Sequence, residues 1–417
     1  MADRARKLDE NNPAAAAILD ASETMVLGHL GFSLEALSDD DDWNSRVEDW
    51  WQETWVTPQV SGRNGVDHRR LFTGPQFEQL AYRAARRDGD CAIVLLASGD
   101  VQLVYANRIQ RSWQKSTKGE QTITHDGVEM TQAGRPVRYW IDDTRPVPAR
   151  NVIHYMNTRD GDLTRGVSAF AQALDSDMFD FSASIMEAVA MAVYMAACMG
   201  LAIKKTNAYT GWNGLQQGPN TAGDNERQID YRPGMTTFLE PDEDITQIQA
   251  AQPQAQVLEL LRALHMYVGA PLGVPVSRAF FDMAGMNLAV SRAVNTMAIE
   301  RSRRYQRDHA AIMSRIYRWR VSRAIANGEL PMVDRPFRHQ WIPYTSPSID
   351  PTGDVDHAAT SVDLGFTTYA EQLRRLNKNP QKHIKALREQ MQQTWYQQLA
   401  MSSRTRDRTI QGPVPNG

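Results

Sequence analysis

The residue types that most often carry catalysis or bind metals are few in this sequence and lie far apart. The nine histidines are scattered, with no HExxH motif and no other metal-ligand spacing. The two cysteines, Cys91 and Cys198, are too few for a thiolate zinc cluster or a disulfide framework. Cys91 stands at the head of an apolar strand pattern, where a buried thiol is more common than a reactive one. The sequence therefore predicts no metal site, no cofactor and no cysteine nucleophile.

A run of acidic residues at 39–42 has the chemistry of a cation site. Helical periodicity follows it, however, and negative charge is favourable at a helix N-terminus, so we interpret the run as helix-terminal charge. The GxSxG motif of a nucleophile elbow and the GxxxxGK[ST] motif of a phosphate-binding loop are both absent. We therefore predict that the chain has no catalytic residues and is not an enzyme.

Residues 284–329 form the most distinctive stretch, because they contain no proline and have glycine only at positions 285 and 328. This pattern predicts one helix of roughly 60 Å, which must bend or stand out from the globular body as a shaft. Residues at steps of three, four and seven predict its packed side: Val290, Val294, Met297, Arg301, Tyr305, Ile312, Ile316 and Trp319.

This predicted helix is strongly basic. Between positions 292 and 323 it has nine arginines and two acidic residues. Four of the arginines share one face and are called the arginine stripe: Arg304, Arg307, Arg315 and Arg318. Either they pair with acids such as Glu329 or Asp354 of a neighbouring subunit, or they lie near a polyanion.

The composition is that of an ordinary soluble protein, with 42% hydrophobic and 23% charged residues. Its length predicts two or three domains. The formal net charge of -3 excludes a wholly basic nucleic-acid coat. The first residues lack an apolar signal core, so no export signal is expected. The uncharged residues 188–203 are too short for a membrane span and are predicted to be a buried helix.

Helical and strand-like periods alternate along the chain and predict a mainly helical α+β fold. The tryptophans after residue 42 predict one buried aromatic face. The predicted helices before residue 284 cover 2–36, 71–87, 170–205 and 256–268. The predicted strands of one small sheet cover 92–96, 101–105, 128–130 and 137–141, and a strand-like segment returns at 151–155. Residues 207–230 are predicted to be a long loop.

Beyond residue 328 the composition changes to a proline-rich stretch, 330–347, which predicts a compact excursion of short strands and turns. A shorter helix is predicted over 354–364. Thr368 and Glu371 have the spacing of a capping box, and Asn379 with Pro380 predicts a last helix that ends near residue 400.

Taken in order, these segments resemble the lambda-type bacteriophage portal proteins over most of the chain. The resembling segments include GRPVRYWI at 134–141, VIHYMNTRDGDLTRGVSAFAQAL at 152–174, RPGMTTFLEPDED at 232–244, YVGAPLGVP at 267–275, MNLAVSRAVNTMAIER at 286–301 and SIDPTGDVDHAATSVDLGFTT at 348–368. The resemblance rests on the colinear set and on no single segment.

The resemblance implies the parts of a portal ring subunit. They are a wing (1–285), a first stem helix (286–328), a clip (329–350), a second stem helix (351–364), a channel loop with an adjoining wing helix (365–378), a crown helix (379–401) and a disordered tail (402–417). A helical hairpin with a small β element has too little core of its own, so head-to-tail packing in a closed ring is expected.

The resemblance also implies a function. About twelve copies would form a ring at one capsid vertex, through which DNA enters during packaging and leaves during ejection. The implied partners are double-stranded DNA contacted without sequence preference, the packaging terminase, the major capsid protein and a tail adaptor, with no membrane. The implied location is the virion, and the host cytoplasm during assembly. The alternatives are a metal-dependent nucleic-acid-processing enzyme and a capsid scaffold or adaptor without a channel.

Two groups of candidate contact residues follow from this reading. The channel loop would present Phe366, Thr367, Thr368 and Tyr369 to DNA, although the aromatic rings can instead pack beneath the adjoining helix. In the clip, Trp341 and Tyr344 are candidate docking residues for the packaging motor and the adaptor, or else they pack inside the clip itself.

Overall fold

Helices and short antiparallel strands alternate along the described chain. The computed structural model describes residues 2–110, 122–143, 145–197, 200–205, 243–248, 255–345 and 351–392. The chain divides into two compact units, one formed by residues 179–264 and the other by the residues before and after them. The mainly helical α+β class predicted from the sequence is confirmed.

The N-terminal arm consists of helices α1 (Ala2–Asn11) and α2 (Pro13–Leu27). Asn12 caps α2, because its side-chain oxygen accepts two backbone N–H groups of the first turn at 2.9 and 3.1 Å. The Asn-Pro helix start predicted from the sequence is thus confirmed. The arm is shorter than predicted, since Ser33–Ala36 form strand β1.

Helix α3 (Asp41–Trp51) begins within the acidic run, and a π-helical turn over Gln52–Val56 extends it. The carboxylate of Asp40 accepts the backbone N–H groups of Asp42 and Trp43 at 3.0 and 3.1 Å. The acidic run therefore serves as the start of a helix, as predicted.

The tryptophan face of α3 lies at the centre of the main hydrophobic core, which confirms the sequence prediction. The rings of Trp51 and Trp55 stack with centroids 5.2 Å apart, and Trp51 meets Tyr317 edge-on at 5.7 Å. Trp43 is buried in the same core, whereas Trp50 is half-buried.

Helix α4 and strands β2 to β8 follow, and the strands form two sheets instead of the one predicted. Their bounds are α4 (Gly74–Asp88), β2 (Asp90–Leu95), β3 (Val101–Tyr105), β4 (Thr122–His125), β5 (Val128–Thr131), β6 (Pro136–Ile141), β7 (Arg145–Pro148) and β8 (Val152–Met156). The first sheet has the order β3-β2-β8, with Ile93 opposite both Leu103 and Ile153. The second has the order β4-β5-β6-β7. The chain returns to the first sheet because β2 is buried and has a free edge on which the apolar β8 fits.

Helix α5 (Ala171–Asp175) precedes the unit of residues 179–264. The elements of that unit are α6 (Met178–Ala197), β9 (Gly200–Lys205), β10 (Glu243–Ile248) and α7 (Ala255–Gly269). The predicted helix over 170–205 is wrong at its C-terminal end, because β9 pairs antiparallel with β10 and Ile203 lies opposite Ile245. The partner strand is distant in the sequence, so local periodicity does not reveal it. The predicted loop at 207–230 lies outside the described residues.

Several apolar side chains of α6 are exposed in the described part of the chain, although the sequence predicts a buried helix over 188–203, of which the side chains are described only to residue 191. Phe181, Met186 and Met191 are all more than half exposed. Apolar composition does not distinguish a face covered by the same chain from a face covered by another molecule. Within the described residues, the helices fall short of the length and apolarity needed to cross a membrane.

Helix α8 (Val276–Phe280) leads into α9 (Leu288–Ala326). Asn287 caps α9 by accepting the backbone N–H of Val290 at 2.9 Å. The prediction of one uninterrupted helix within 284–329 is confirmed. Most of α9 does not stand out as a shaft, because from Ala298 onward one side of it is buried and joins the main core.

The buried side of α9 differs from the predicted one. Ile316 is buried as expected, but Val290 and Met297 are exposed. The buried residues are Ala298, Ser302, Gln306, His309, Met313, Ile316, Tyr317, Arg320, Val321 and Ala324. Several of these are polar and are buried because their side chains make hydrogen bonds, which apolar periodicity does not detect.

Strand β11 (His339–Ile342) pairs antiparallel with β1, so that Trp341 lies opposite Leu34. The stretch 330–347 contains a short strand, as predicted from its prolines, but the strand pairs with a segment outside the stretch. Strand β1 comes from the opposite end of the chain, and it supplies both the hydrogen bonds and the core that a short isolated strand lacks.

Three helices complete the described chain: α10 (Pro351–Asp363), α11 (Tyr369–Arg375) and α12 (Pro380–Gln392). They confirm the three helices predicted beyond residue 350. The capping box of Thr368 and Glu371 is present, with both hydrogen bonds formed. The predicted end of the last helix near residue 400 and the predicted disordered tail lie outside the described residues.

Candidate functional site

The arginine stripe lies on the exposed side of α9. Arg315 donates to the backbone carbonyl of Val152 at 3.0 Å, and Arg304 donates to that of Thr158 at 3.4 Å. These two guanidinium groups therefore reach β8 and the loop that follows it. In both contacts the acceptor is a neutral carbonyl oxygen of the same chain.

The other two stripe residues are less constrained. Arg307 lies 3.3 Å from the carboxylate of its neighbour Asp308, and both side chains are open to solvent. The guanidinium of Arg318 donates no hydrogen bond within the described part of the chain. No ion pair within that part joins the stripe to Glu329 or Asp354. The stripe thus leaves most of its positive charge available to another molecule.

The opposite side of α9 holds a buried polar group. Glu78 accepts the indole N–H of Trp55 at 2.8 Å, and its other carboxylate oxygen lies 3.3 Å from Nε2 of His309. Nδ1 of His309 lies 3.4 Å from the hydroxyl of Tyr155. Burial raises the pKa of Tyr155, which keeps its phenol neutral. These contacts fix α9 against α4 and β8.

A second buried polar side chain, Arg86, lies beside this group. Its guanidinium lies over the rings of Tyr305, Tyr82 and Tyr155, at 4.3, 5.1 and 5.8 Å from their centroids. One terminal nitrogen donates to Asn157 at 2.5 Å, whereas Nε and Nη2 have no partner in the described structure. The positive charge of Arg86 is thus stabilised by aromatic rings and not by a carboxylate.

Both docking candidates from the sequence pack inside the chain. Trp341 is 8% exposed, and its indole N–H donates to the hydroxyl of Ser314 at 2.9 Å. The ring of Tyr344 lies directly against Gly28, where an added Cβ would come within 2.4 Å of it. The backbone carbonyl of Tyr344 accepts a hydrogen bond from Gln306 at 2.9 Å. Internal packing is the alternative that the sequence left open for these two residues.

The channel-loop candidates lie between α10 and α11 and are largely open to solvent. Gly365 has a φ of +74°, a conformation that favours glycine and turns the chain at the end of α10. Phe366 is 80% exposed and Tyr369 is 51% exposed. The side chain of Thr368 forms the N-terminal cap of α11. The structure therefore brings together two exposed aromatic rings and a capped helix at this loop.

Cys91, the cysteine weighed from the sequence, is fully buried, and its thiol donates to the carbonyl of Ala81 at 3.4 Å. Burial raises the pKa of the Cys91 thiol, which disfavours the nucleophilic thiolate. Among the described residues, no group of three or more histidine, cysteine, aspartate or glutamate side chains is arranged to hold a metal ion.

The comparison with protein families decides the identity. The family model described as "Phage portal protein, lambda family" matches residues 1–306. This chain belongs to the lambda family of phage portal proteins. Portal proteins are structural components and not enzymes, which confirms the prediction of no enzymatic role. None of the curated proteins matches the chain significantly.

One solved structure shares the fold of this chain. A chain in the neck of an empty gene transfer agent (GTA) particle, computed with C6 symmetry, is similar at a TM-score of 0.53 and 14% identity, over 90% of this chain and 94% of that one. A chain in the virion of a native GTA particle is similar at a TM-score of 0.47 and 14% sequence identity. This match covers 90% of the present chain and 94% of that one. An HK97-family phage portal protein from Corynebacterium diphtheriae matches at a TM-score of 0.35 and 14% sequence identity. This match covers 70% of the present chain and 86% of that one. The first of these shows that the fold is shared.

This portal-family chain exposes apolar side chains that the sequence reading did not single out. In the unit of residues 179–264 they are Phe181, Met186, Met191 and Leu260. For Met191 the sequence signal is the low charge of 188–203, which by itself predicts a buried helix. Large apolar residues that are exposed together mark an interaction surface.

A second apolar surface lies in the other unit, around the turn between α8 and α9. Phe281 is 88% exposed and has a φ of +56°, which is unfavourable for an aromatic residue. Met283 and Leu288 are also exposed. Phe281 and Met283 also line one wall of a groove of about 560 Å³ between α2, α8 and the first turns of α9. This unit thus has both a projecting apolar segment and a concave apolar surface.

Proposed function

We propose that this protein assembles with further copies of itself into a closed ring that forms the portal at one vertex of a phage capsid. The observation that carries this proposal is the apolar surface exposed in a single chain on α6 and around residues 281–288. Covering one such side chain contributes about 1.5–3 kcal/mol. Neighbouring copies in a ring would cover these surfaces without leaving an open edge.

A ring requires two different complementary surfaces on each copy. The groove between α2, α8 and α9 is concave and apolar, with Met25, Ala279 and Val294 among its lining residues. We assign it to apolar side chains of an adjacent copy, so that the contact is head-to-tail. About twelve copies are expected, as the family resemblance implies.

We revise the location of the stem and the clip. A portal stem consists of two helices with a small β element between them, and residues 179–264 have this order: α6, the β9–β10 pair and α7. The stretch 286–364 fits less well, because α9 is buried in the main core and β11 pairs with β1. We therefore propose 179–264 as the stem and clip, in place of 286–364.

This revision changes the candidate channel loop. The loop that follows the second stem helix would be the segment between α7 and α9, in which Phe281 projects, instead of the loop of Phe366 and Tyr369. In either position the exposed aromatic ring narrows a passage without fixed charge. Contacts to passing DNA would be to its phosphates, independent of sequence.

The remaining partners follow from the ring. A portal meets the major capsid protein around its circumference, and its clip is where the packaging terminase docks first and the tail adaptor later. The ring would form in the host cytoplasm and remain in the virion. DNA would enter through it during packaging and leave during ejection.

The test of the ring is the size and shape of the purified protein. Negative-stain images and mass photometry should show closed rings with a central hole. Phe181→Ser and Met191→Ser should each shift the protein toward single chains at micromolar concentration, because they remove apolar surface from the contact. Glu187→Gln, on the same helix, is the matched control and should leave the rings intact.

A stable monomer of the unmodified chain under these conditions would contradict the ring. Closed assemblies without a central hole would instead favour a capsid scaffold or adaptor. If both serine variants still form rings, the proposed ring stands, but α6 is not part of the contact between copies.

A further inference from the structure

A small polar pocket lies where the C-terminal end of α9 meets α3 and the turn between β2 and β3. Its volume is about 240 Å³, equal to roughly eight water molecules. Three arginines contribute to its lining: Arg63 from the loop after α3, and Arg320 and Arg323 from α9. All of these residues belong to the same compact unit.

Arg320 is only 6% exposed, which is rare for an arginine without a carboxylate partner. Its guanidinium lies between the rings of Trp55 and Trp50, at 5.2 and 5.6 Å from their centroids. Its hydrogen bonds to the carbonyls of Thr54 and Gly99 are long, at 3.3 and 3.5 Å. Its Nε has no partner in the described structure. The cation is thus fixed by the indole rings and incompletely hydrogen-bonded.

The charge of the pocket is not balanced. None of Arg63, Arg320 and Arg323 lies within ion-pair distance of a carboxylate in the described part of the chain. Glu329, the acidic residue of the lining, accepts the indole N–H of Trp50 at 3.2 Å instead. Burial, reinforced by the neighbouring Arg63, lowers the pKa of Arg320 to about 10, and the opposite effects of Asp100 and Glu329 do not offset this. The pocket therefore offers a positive field to an incoming anion.

We infer that this pocket binds one phosphate group, either as free phosphate or as part of a DNA backbone. A guanidinium presents its donors in a fork that matches two oxygens of a phosphate. The exposed Arg63 can present this fork to the pocket, whereas Arg320, whose Nε is buried and unpartnered, contributes its charge. The volume admits one phosphate with a few waters but excludes a duplex, so DNA would reach the site through a single backbone phosphate. This site depends on no assumption about the ring.

The test is a titration of the full chain with inorganic phosphate, against chloride at matched ionic strength, followed by calorimetry and thermal unfolding. Phosphate should bind and raise Tm, whereas chloride should not. Arg63→Gln should weaken phosphate binding about tenfold, the loss expected for one charge-assisted contact. Arg63 is exposed, so this variant should fold even if a change at the buried Arg320 does not. Arg150→Gln removes another exposed arginine and should bind phosphate like the unmodified protein.

A short DNA duplex added to the phosphate-bound protein then identifies the source of the phosphate group. Displacement of phosphate assigns the pocket to the DNA backbone, and the absence of displacement assigns it to free phosphate. An equal response to phosphate and chloride would overturn the proposal. So would identical behaviour of Arg63→Gln and Arg150→Gln. Altered assembly of Arg63→Gln without any phosphate binding would also overturn it, and would assign the arginines to a carboxylate of a neighbouring copy.

Discussion

Asp90 and Arg165 form a bidentate ion pair, with oxygen–nitrogen distances of 2.6 and 2.9 Å. Arg165 also donates to the carbonyls of Ala106 and Ile109, both at 2.8 Å, so one guanidinium joins β2 to the chain after β3. Burial alone would raise the pKa of Asp90, but hydrogen bonds from Arg165 and His154 outweigh it and hold that pKa well below its usual range. The pair ties the loop after β8 to the first sheet.

Asp90→Asn should lower the free energy of unfolding at pH 7 by about 3–5 kcal/mol, because it leaves a largely buried guanidinium without its carboxylate. Since the pKa of Asp90 is lower in the folded state, its contribution is fully present above about pH 4 and is lost as pH falls further. The unmodified protein should therefore lose more stability below pH 4 than the variant. Urea unfolding across this range measures both effects.

The control for this prediction is Asp142→Asn. Asp142 pairs with Arg108 at 2.6 Å, but both side chains are substantially exposed. Exposed pairs contribute about 0–1 kcal/mol, so this variant should stay close to the unmodified protein. Equal effects of the two substitutions would show that burial of the Asp90 pair does not matter.

Arg86 gives a prediction about aromatic packing. Arg86→Met should cost about 2 kcal/mol less than Arg86→Ala, because methionine fills most of the space beside Tyr82, Tyr155 and Tyr305, whereas alanine leaves a cavity there. Chemical denaturation of the two variants measures the difference. If methionine is as costly as alanine, the charge of Arg86 stabilises the fold and its volume does not.

Gly28 and Tyr344 give a prediction about the C-terminal segment. Gly28→Ala should cost at least about 2 kcal/mol, since its φ is +64° and an added Cβ would lie 2.4 Å from the Tyr344 ring. In a Tyr344→Ala background the same substitution should cost about 1 kcal/mol less, because the clash is gone. An unchanged cost in that background, together with full stability of Tyr344→Ala, would mean that Tyr344 points away from Gly28 and is free for docking.

The two candidate channel loops are compared by single substitutions. Phe281→Ala should reduce the retention of packaged DNA while the rings still form, whereas Phe366→Ala should have little effect. The reason is that Phe281 follows the helix pair of residues 179–264, where the channel loop of a portal is expected. Packaging assays on assembled capsids measure retention. The reverse result would identify the loop of Phe366, Thr367, Thr368 and Tyr369 as the channel loop.

The arginine stripe is tested by charge reversal. If Arg315 is an intersubunit tie, Arg315→Glu should break rings, since an unpaired charge left in a contact costs about 3–5 kcal/mol. We expect this result for most of the stripe, with Arg150→Glu as an exposed control that leaves rings intact. Intact rings whose DNA retention falls and depends on salt would show instead that the stripe contacts phosphates.

The sequence by itself determined the features that depend on neighbours a few residues away. The cap at Asn12, the helix start at Asp40 and the capping box at Thr368 were all predicted correctly, because a cap is a hydrogen bond within one helical turn. The uninterrupted α9 follows from the same local rules. The family also followed from the sequence, because the resembling segments occur in one order along the chain.

Only the tertiary structure decided which surfaces these elements bury. Polar residues such as His309 and Arg320 lie on the buried side of α9 because their partners, Glu78 and the carbonyl of Thr54, come from other parts of the chain. Strand β11 packs against β1, which removes Trp341 from the surface. In contrast, the apolar Phe181, Met186 and Met191 of α6 remain exposed in the described part of the chain. Burial depends on which partner a side chain contacts in the folded structure. The spacing of apolar residues along one helix does not identify that partner.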